Sequence, residues 1–134
     1  MKRLFENRFL SYWAPIILYC TIIFIQSSFV SLGNNLHIPQ VDKFLHFIIF
    51  AILAVLFYRA YNTLSINNNI KLVVFLSIIS ASLYGLSDEI HQYFVPFRSA
   101  EVADFIADSI GACFGVCFYL PVVLKKRMKK LQTH

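Results

Sequence analysis

The chain is 134 residues long, 58% hydrophobic and 16% aromatic but only 14% charged, with a net charge of +5 and a mean hydropathy of +0.65. A soluble domain carries about 25% charged residues, so this chain has too little charge to wet a globular surface, which argues against a soluble enzyme or a DNA-binding domain. Its richness in apolar and aromatic side chains excludes disorder. The composition is that of a polytopic membrane protein.

A helix needs about 20 residues to cross a hydrocarbon core of about 30 Å. The first span reads as Tyr12 to Val30, without a charge. Lys2, Arg3 and Arg8 precede it as they would a signal peptide, but the apolar stretch is too long for one and no small-x-small cleavage site follows. Ile17-Leu18-Tyr19 ahead of Cys20 also make a poor lipoprotein site, so an uncleaved first span is expected. The second span reads as Phe44 to Tyr58, the third as Leu72 to Ser87 and the fourth as about Phe105 to Leu124. Ser31-Leu32-Gly33-Asn34-Asn35, Asn62 to Asn69 and the stretch around Pro96 read as turns. The expected fold is all-α, one domain over residues 1–134 built as an antiparallel bundle of four transmembrane helices. Lys125, Lys126, Arg127, Lys129 and Lys130 give residues 125–134 the character of a basic tail, suited to anionic lipid rather than to nucleic acid.

An even number of spans puts both termini on one side. That side holds ten cations, at Lys2, Arg3, Arg8, Arg59, Lys71 and the tail, against Lys43 and Arg98 on the other, so the positive-inside rule predicts cytoplasmic termini. Six of the seven acids, Asp42, Asp88, Glu89, Glu101, Asp104 and Asp108, fall on or near the outer side, a bias that insertion does not require. Cys20, Cys113 and Cys117 all lie within spans; they give no disulfide framework, lack the partner ligands of a metal site, and read as packing residues.

Counting only uncharged residues, spans two to four are 15, 16 and 16 residues long, short of the ~20 needed. Reaching the outer interface draws in Asp42, Lys43 and His46 on the second span, Asp88 and Glu89 on the third and Asp108 on the fourth, which extends the spans to about 42–58, 70–89 and 104–124. Carboxylates facing lipid are costly, so these groups should face one another or a wet cavity. Asp42 and His46, Asp88 and Gln92, and Asp104 and Asp108 are each four apart and share helix faces. Small residues recur at the same spacing, Ser77, Ala81 and Gly85 on the third span and Ala107, Gly111 and Gly115 on the fourth, and predict close packing of those two spans. Arg98, just past the rigid Pro96, is expected either to bridge Asp88, Asp104 or Asp108 or to hold an anionic ligand.

Taken in order, Asp42-Lys43-Phe44-Leu45-His46-Phe47, Ser87-Asp88-Glu89-Ile90-His91-Gln92, Pro96-Phe97-Arg98 and Asp104-Phe105-Ile106-Ala107-Asp108-Ser109-Ile110-Gly111 with Gly115 resemble the VanZ-like family of small membrane proteins. Phe97 stands where that pattern often has Gly, and Asp108 where it often has Asn. The resemblance implies an integral protein of the cell envelope, and the founding member's link to teicoplanin makes glycopeptide resistance the implied role.

From the residues themselves, the expected function is an outward-facing membrane enzyme or binder acting on a lipid-linked or wall-associated molecule. Carboxylates crowded beside an imidazole and a guanidinium are the material of acid–base catalysis. Asp88 or Glu89 is the expected acid/base and His46 its proton partner; Arg98, Gln92, Asp104, Asp108, Asp42 and Lys43 are expected around the substrate. Asp88, Glu89, His91, Asp104 and Asp108 include metal-ligand types, but adjacent Asp88 and Glu89 diverge on a helix, and no metal or other cofactor is expected. The alternatives are a small proton-coupled transporter, which the absence of acids from the central turns disfavours, and a structural protein whose charges only staple helices. The expected partners are membrane lipids, with oligomerisation left open, and the expected location is a bacterial cell membrane.

Overall fold

Helix α1 spans Lys2–Ser28, α2 Pro39–Tyr61, α3 Ile70–Phe94 and α4 Val102–Gln132, with a 3-10 turn at Ser65–Asn68. The structure is a computed structural model that describes residues 2–29, 39–96, 98 and 100–132. All four helices are long and apolar enough to cross a membrane, and there is no strand among the described residues. The end of the first span at Val30, the turn at Ser31 to Asn35, and Phe97 lie outside the described residues.

Local chemistry sets the reversals that are described. Asn69 caps α3 by accepting the Leu72 N–H on Oδ1 at 3.1 Å. At the other end Val95 is extended and Pro96 follows, so the helix stops where the chain loses a backbone donor. α4 does not stop at Leu124; it runs on through the basic stretch to Gln132.

Cross-helix contacts fix the directions. Tyr19 donates to the Ile49 carbonyl and Trp13 meets Tyr61 edge-on, so α1 and α2 run antiparallel. Tyr84 donates to the Cys20 carbonyl and Ser28 pairs with His91, so α1 and α3 run parallel. His46 pairs with Asp108 and Tyr58 with Tyr119, so α2 and α4 run parallel. This up-down-up-down bundle gathers Ser27, His46, Asp88 and Asp108 at one end and leaves Tyr12 and Arg59 at the other.

Polarity is inverted relative to a soluble bundle. Phe44, Phe75, Leu83, Phe94, Ile110 and Phe118 are exposed, whereas Ser77, Asp88, Glu89, Gln92, Asp104 and Asp108 are buried. Water would not tolerate such an apolar exterior, and a bilayer requires it. The apolar core lies between the two ends, around Phe50, Leu53, Ala54, Tyr58, Val73 and Val116.

α2 and α4 approach so closely that two positions leave no room for a side chain. A Cβ on Gly111 would overlap the Phe47 backbone carbonyl, and one on Gly115 would overlap that of Ala51. Gly111 and Gly115 therefore seat α2, while the expected packing of α3 on α4 is made through Gly85. Phe47 and Ala51 are themselves four apart, so two glycines on one helix meet two successive carbonyls on the next. Gly85 of α3 serves differently, since its missing side chain leaves room for the Asp108 carboxylate. Cys113 and Cys117 also depart from expectation: they face outward from α4 rather than packing inward, while Cys20 is half-buried.

Gly111→Leu and Gly115→Leu are accordingly expected to lower folded yield and the thermal midpoint in detergent, by about 1–3 kcal/mol or more for a backbone forced apart. Cys113→Leu, on the exposed face, should match wild type. Equal loss in all three would show that the α2–α4 approach is not a close interface.

Candidate functional site

The polar end of the bundle is built from one or two turns of every helix. On the α1 side, Ser27 donates its hydroxyl to Asp88 Oδ1, and Gln92 Nε2 donates to Asp88 Oδ2 at 2.8 Å. Gln92 Oε1 in turn accepts from Arg98 at 2.8 Å. Asp88 and Gln92 are one helical turn apart on α3, so their spacing alone aligns them. Arg98 thus bonds an amide rather than any of the three carboxylates considered for it, and no acid lies within ion-pair range of it among the described residues.

On the α4 side, His46 Nδ1 lies 3.0 Å from Asp108 Oδ1, with both side chains buried. Lys43 bonds Glu101 at 2.8 Å and lies 3.4 Å from Asp104 Oδ1. Glu89 accepts the backbone N–H of Glu101 on Oε2 at 2.9 Å and so ties the last turn of α3 to the start of α4. Buried oxygens without a hydrogen-bond partner remain at Glu89 Oε1, Asp104 Oδ1 and Asp108 Oδ2.

Asp88 and Glu89 diverge, as adjacent helical residues must: one turns to α1, the other to α4. His91 is not in the cluster; its ring packs on Phe24 with centroids 4.5 Å apart and bonds Ser28. The structure therefore gathers ligand types in sets other than the one built on His91. Ligand atoms of Asp42, His46 and Asp104 lie within 4.8 Å of one another, and so do those of His46, Glu89 and Asp108.

Between the two halves is a cavity of about 60 Å³ lined by Ser27, Asp42, His46, Asp88, Gln92 and Arg98 among others, room for a few waters or a small polar group. At the same end of the bundle, between α3 and α4, lies an apolar groove of about 350 Å³ lined by Leu86, Ile90, Tyr93, Phe94, Val102 and Phe105, with Glu89 also on its wall. Ser27 and the Glu101 amide are site members that sequence reasoning did not single out. The signal for Ser27 was the polar run Gln26-Ser27-Ser28 ending an apolar span; Glu101 gave only its charge.

Fold and site together define a membrane-embedded helical bundle with an apolar exterior and ionisable groups buried at one end. The chain belongs to the VanZ/LLP1 family, whose model matches residues 5–125. It is similar to the uncharacterized protein C11E3.10 of the fission yeast Schizosaccharomyces pombe, 24% identical over 111 residues, a match that covers 83% of this chain. The chain spans 65% of the length of that curated relative. No solved structure matches it.

The Ser27–Asp88 bond is expected to hold α1 onto α3. Ser27→Ala leaves a buried carboxylate oxygen without its donor and should cost about 1–3 kcal/mol of stability. Thermal unfolding of the purified protein in detergent reads this directly, and an unchanged midpoint would mean that Asp88 is satisfied from elsewhere.

Proposed function

We propose that this chain is an envelope membrane protein whose buried polar end opens outward and binds the polar head of a lipid-linked or wall-associated molecule. The observation that carries the reading is a pair of spaces at the same end of the bundle. A polar cavity bordered by Arg98 and the Asp88–Gln92 pair and an apolar groove between α3 and α4 share no lining residue, but His46 of the cavity wall and Glu89 of the groove wall have ligand atoms within 4.8 Å of each other. In this reading an amphiphile lays its chain in the groove and brings its head group to the His46–Glu89 contact at the edge of the cavity. The Arg98 guanidinium has donors beyond the one given to Gln92, and its planar fork suits phosphate or carboxylate.

In this reading Glu89, with one oxygen unpartnered, is the acid/base in preference to Asp88, whose two oxygens are engaged by Ser27 and Gln92. His46, held by Asp108, relays the proton. Asp42 lines the head-group cavity, with Asp104 close to it and to His46 and Lys43 paired to Asp104 behind them. Cytoplasmic termini and a bacterial cell membrane belong to the proposal, as does a contribution to glycopeptide resistance of the teicoplanin type; the relative in fission yeast speaks for none of them.

Two experiments test it. With Cys20, Cys113 and Cys117 replaced, a cysteine at Ala100 should react with an impermeant thiol reagent added outside, and one at Asn68 should not; the reverse pattern would overturn the outward-facing site. Arg98→Lys keeps the charge but loses the fork. Together with Asp104→Asn, it should accumulate near wild-type levels yet fail to restore the envelope-stress and drug susceptibility profile of a deletion strain. Full complementation by Arg98→Lys would refute the bidentate contact, and loss of folded protein in both variants would favour the helix-stapling role.

A further inference from the structure

The deepest part of the polar end is more acidic than its hydrogen bonds explain. Asp108 is fully buried and Glu89 is 5% exposed, yet Oδ2 of one and Oε1 of the other have no hydrogen-bond partner. Leaving such oxygens dry and unpaired is costly. The two nearby cations do not relieve them: Lys43 is engaged by Glu101 and Asp104, and Arg98 by Gln92. What does reach both carboxylates is the imidazole of His46, 9% exposed, with ligand atoms of all three residues inside 4.8 Å. An imidazole contributes at most a single positive charge against two carboxylates.

We propose that His46, Glu89 and Asp108 form a binding site for a divalent metal ion of the Mn²⁺ or Zn²⁺ class. The donor set selects that class, because carboxylates favour Mn²⁺ and an imidazole favours Zn²⁺, while thiolates, which select softer ions, are absent from it. Ligands about 2.0–2.2 Å from a metal stand roughly 3–3.5 Å from each other. The 3.0 Å between His46 Nδ1 and Asp108 Oδ1 already matches that spacing. Glu89 closes the set by a side-chain rotation that brings in its unpartnered oxygen while the other keeps the Glu101 amide. The alternative trio of Asp42, His46 and Asp104 is the weaker one: Asp42 is half-exposed and Asp104 is shared with Lys43. Gly85 supports the same site from behind, since any side chain there would press on Asp108, with a Cβ only 2.7 Å from Oδ2. His46 also borders the polar cavity, so the open positions of a three-ligand ion would be reachable from it. Cation binding stands or falls independently of what Arg98 holds, and it is an alternative use of the Glu89 and His46 atoms given above to proton transfer, since a group ligating the ion is not free to move a proton.

The full-length protein, purified in detergent and stripped with a chelator, is reloaded with Mn²⁺ or Zn²⁺, desalted and assayed for metal. Wild type should retain about one ion per chain. Glu89→Gln and Asp108→Asn should each retain roughly tenfold less, while Asp88→Asn, whose carboxylate is turned toward Ser27, should load like wild type. Pulsed EPR of the Mn²⁺-loaded wild type should show nitrogen coupling from an imidazole, lost in His46→Gln, and this reports the ligand set even where a carboxylate variant fails to fold. Folded wild type that retains neither metal overturns the site and leaves protons to balance the buried acids. Retention at wild-type levels in folded Glu89→Gln and Asp108→Asn, or Mn²⁺ without nitrogen coupling, overturns it equally.

Discussion

The contact on which the rest depends is the approach of α4 to α2, where Gly111 and Gly115 lie against the carbonyls of Phe47 and Ala51. No side chain intervenes, so the axial register of the two helices is set by backbone shape. That register places His46, the residue before Phe47, level with Asp108, three before Gly111, and the two meet at 3.0 Å. In lipid there is no hydrophobic force between helices to hold such a pair, because the surroundings are as apolar as the interface; close packing and interhelical hydrogen bonds take over. A slip of one turn would strand two ionisable groups without partners, which makes the packing and the polar pairing mutually enforcing.

The buried groups divide into two sets. Asp88 belongs to a chain of neutral and charged hydrogen bonds that runs from Ser27 through Gln92 to Arg98 and is nearly satisfied. Glu89, Asp104 and Asp108 form a second set, richer in negative charge than in donors. Adjacent residues on α3 feed opposite sets, so a helix that looks uniformly acidic at its end serves a structural network on one face and a chemically unsatisfied one on the other. The difference matters for reactivity: groups with full partner sets hold geometry, whereas groups short of partners can bind or transfer.

Much of this was legible in the sequence, and the reasons are physical. Spans of 15 and 16 uncharged residues cannot cross a bilayer, so the flanking acids had to be helical and inward-facing, which is where Asp88, Glu89 and Asp108 are found. Helical spacing likewise paired Asp88 with Gln92. What spacing could not supply was the identity of the partner. A glycine stripe announces a close approach but not the helix that makes it, and the receiving surface on α2 is backbone, which has no sequence signature. The same gap put His91 among the acids, although its ring turns to Phe24 and Ser28. It also hid Ser27, since a serine on an apolar span reads as a tolerated polar point until the acid opposite is known.

The order of synthesis gives the glycine seat a further meaning. α4 is made after the other three helices, yet it brings Gly111 and Gly115 against the Phe47 and Ala51 carbonyls and meets the His46 ring with Asp108. α1 precedes them and buries Ile16, Ile23 and Ser27, and its bonds to α3 run to Tyr84, Asp88 and His91, which are made after α2. Until α4 docks, therefore, His46 lacks its Asp108 partner and the Phe47 and Ala51 carbonyls lack the glycines that lie against them.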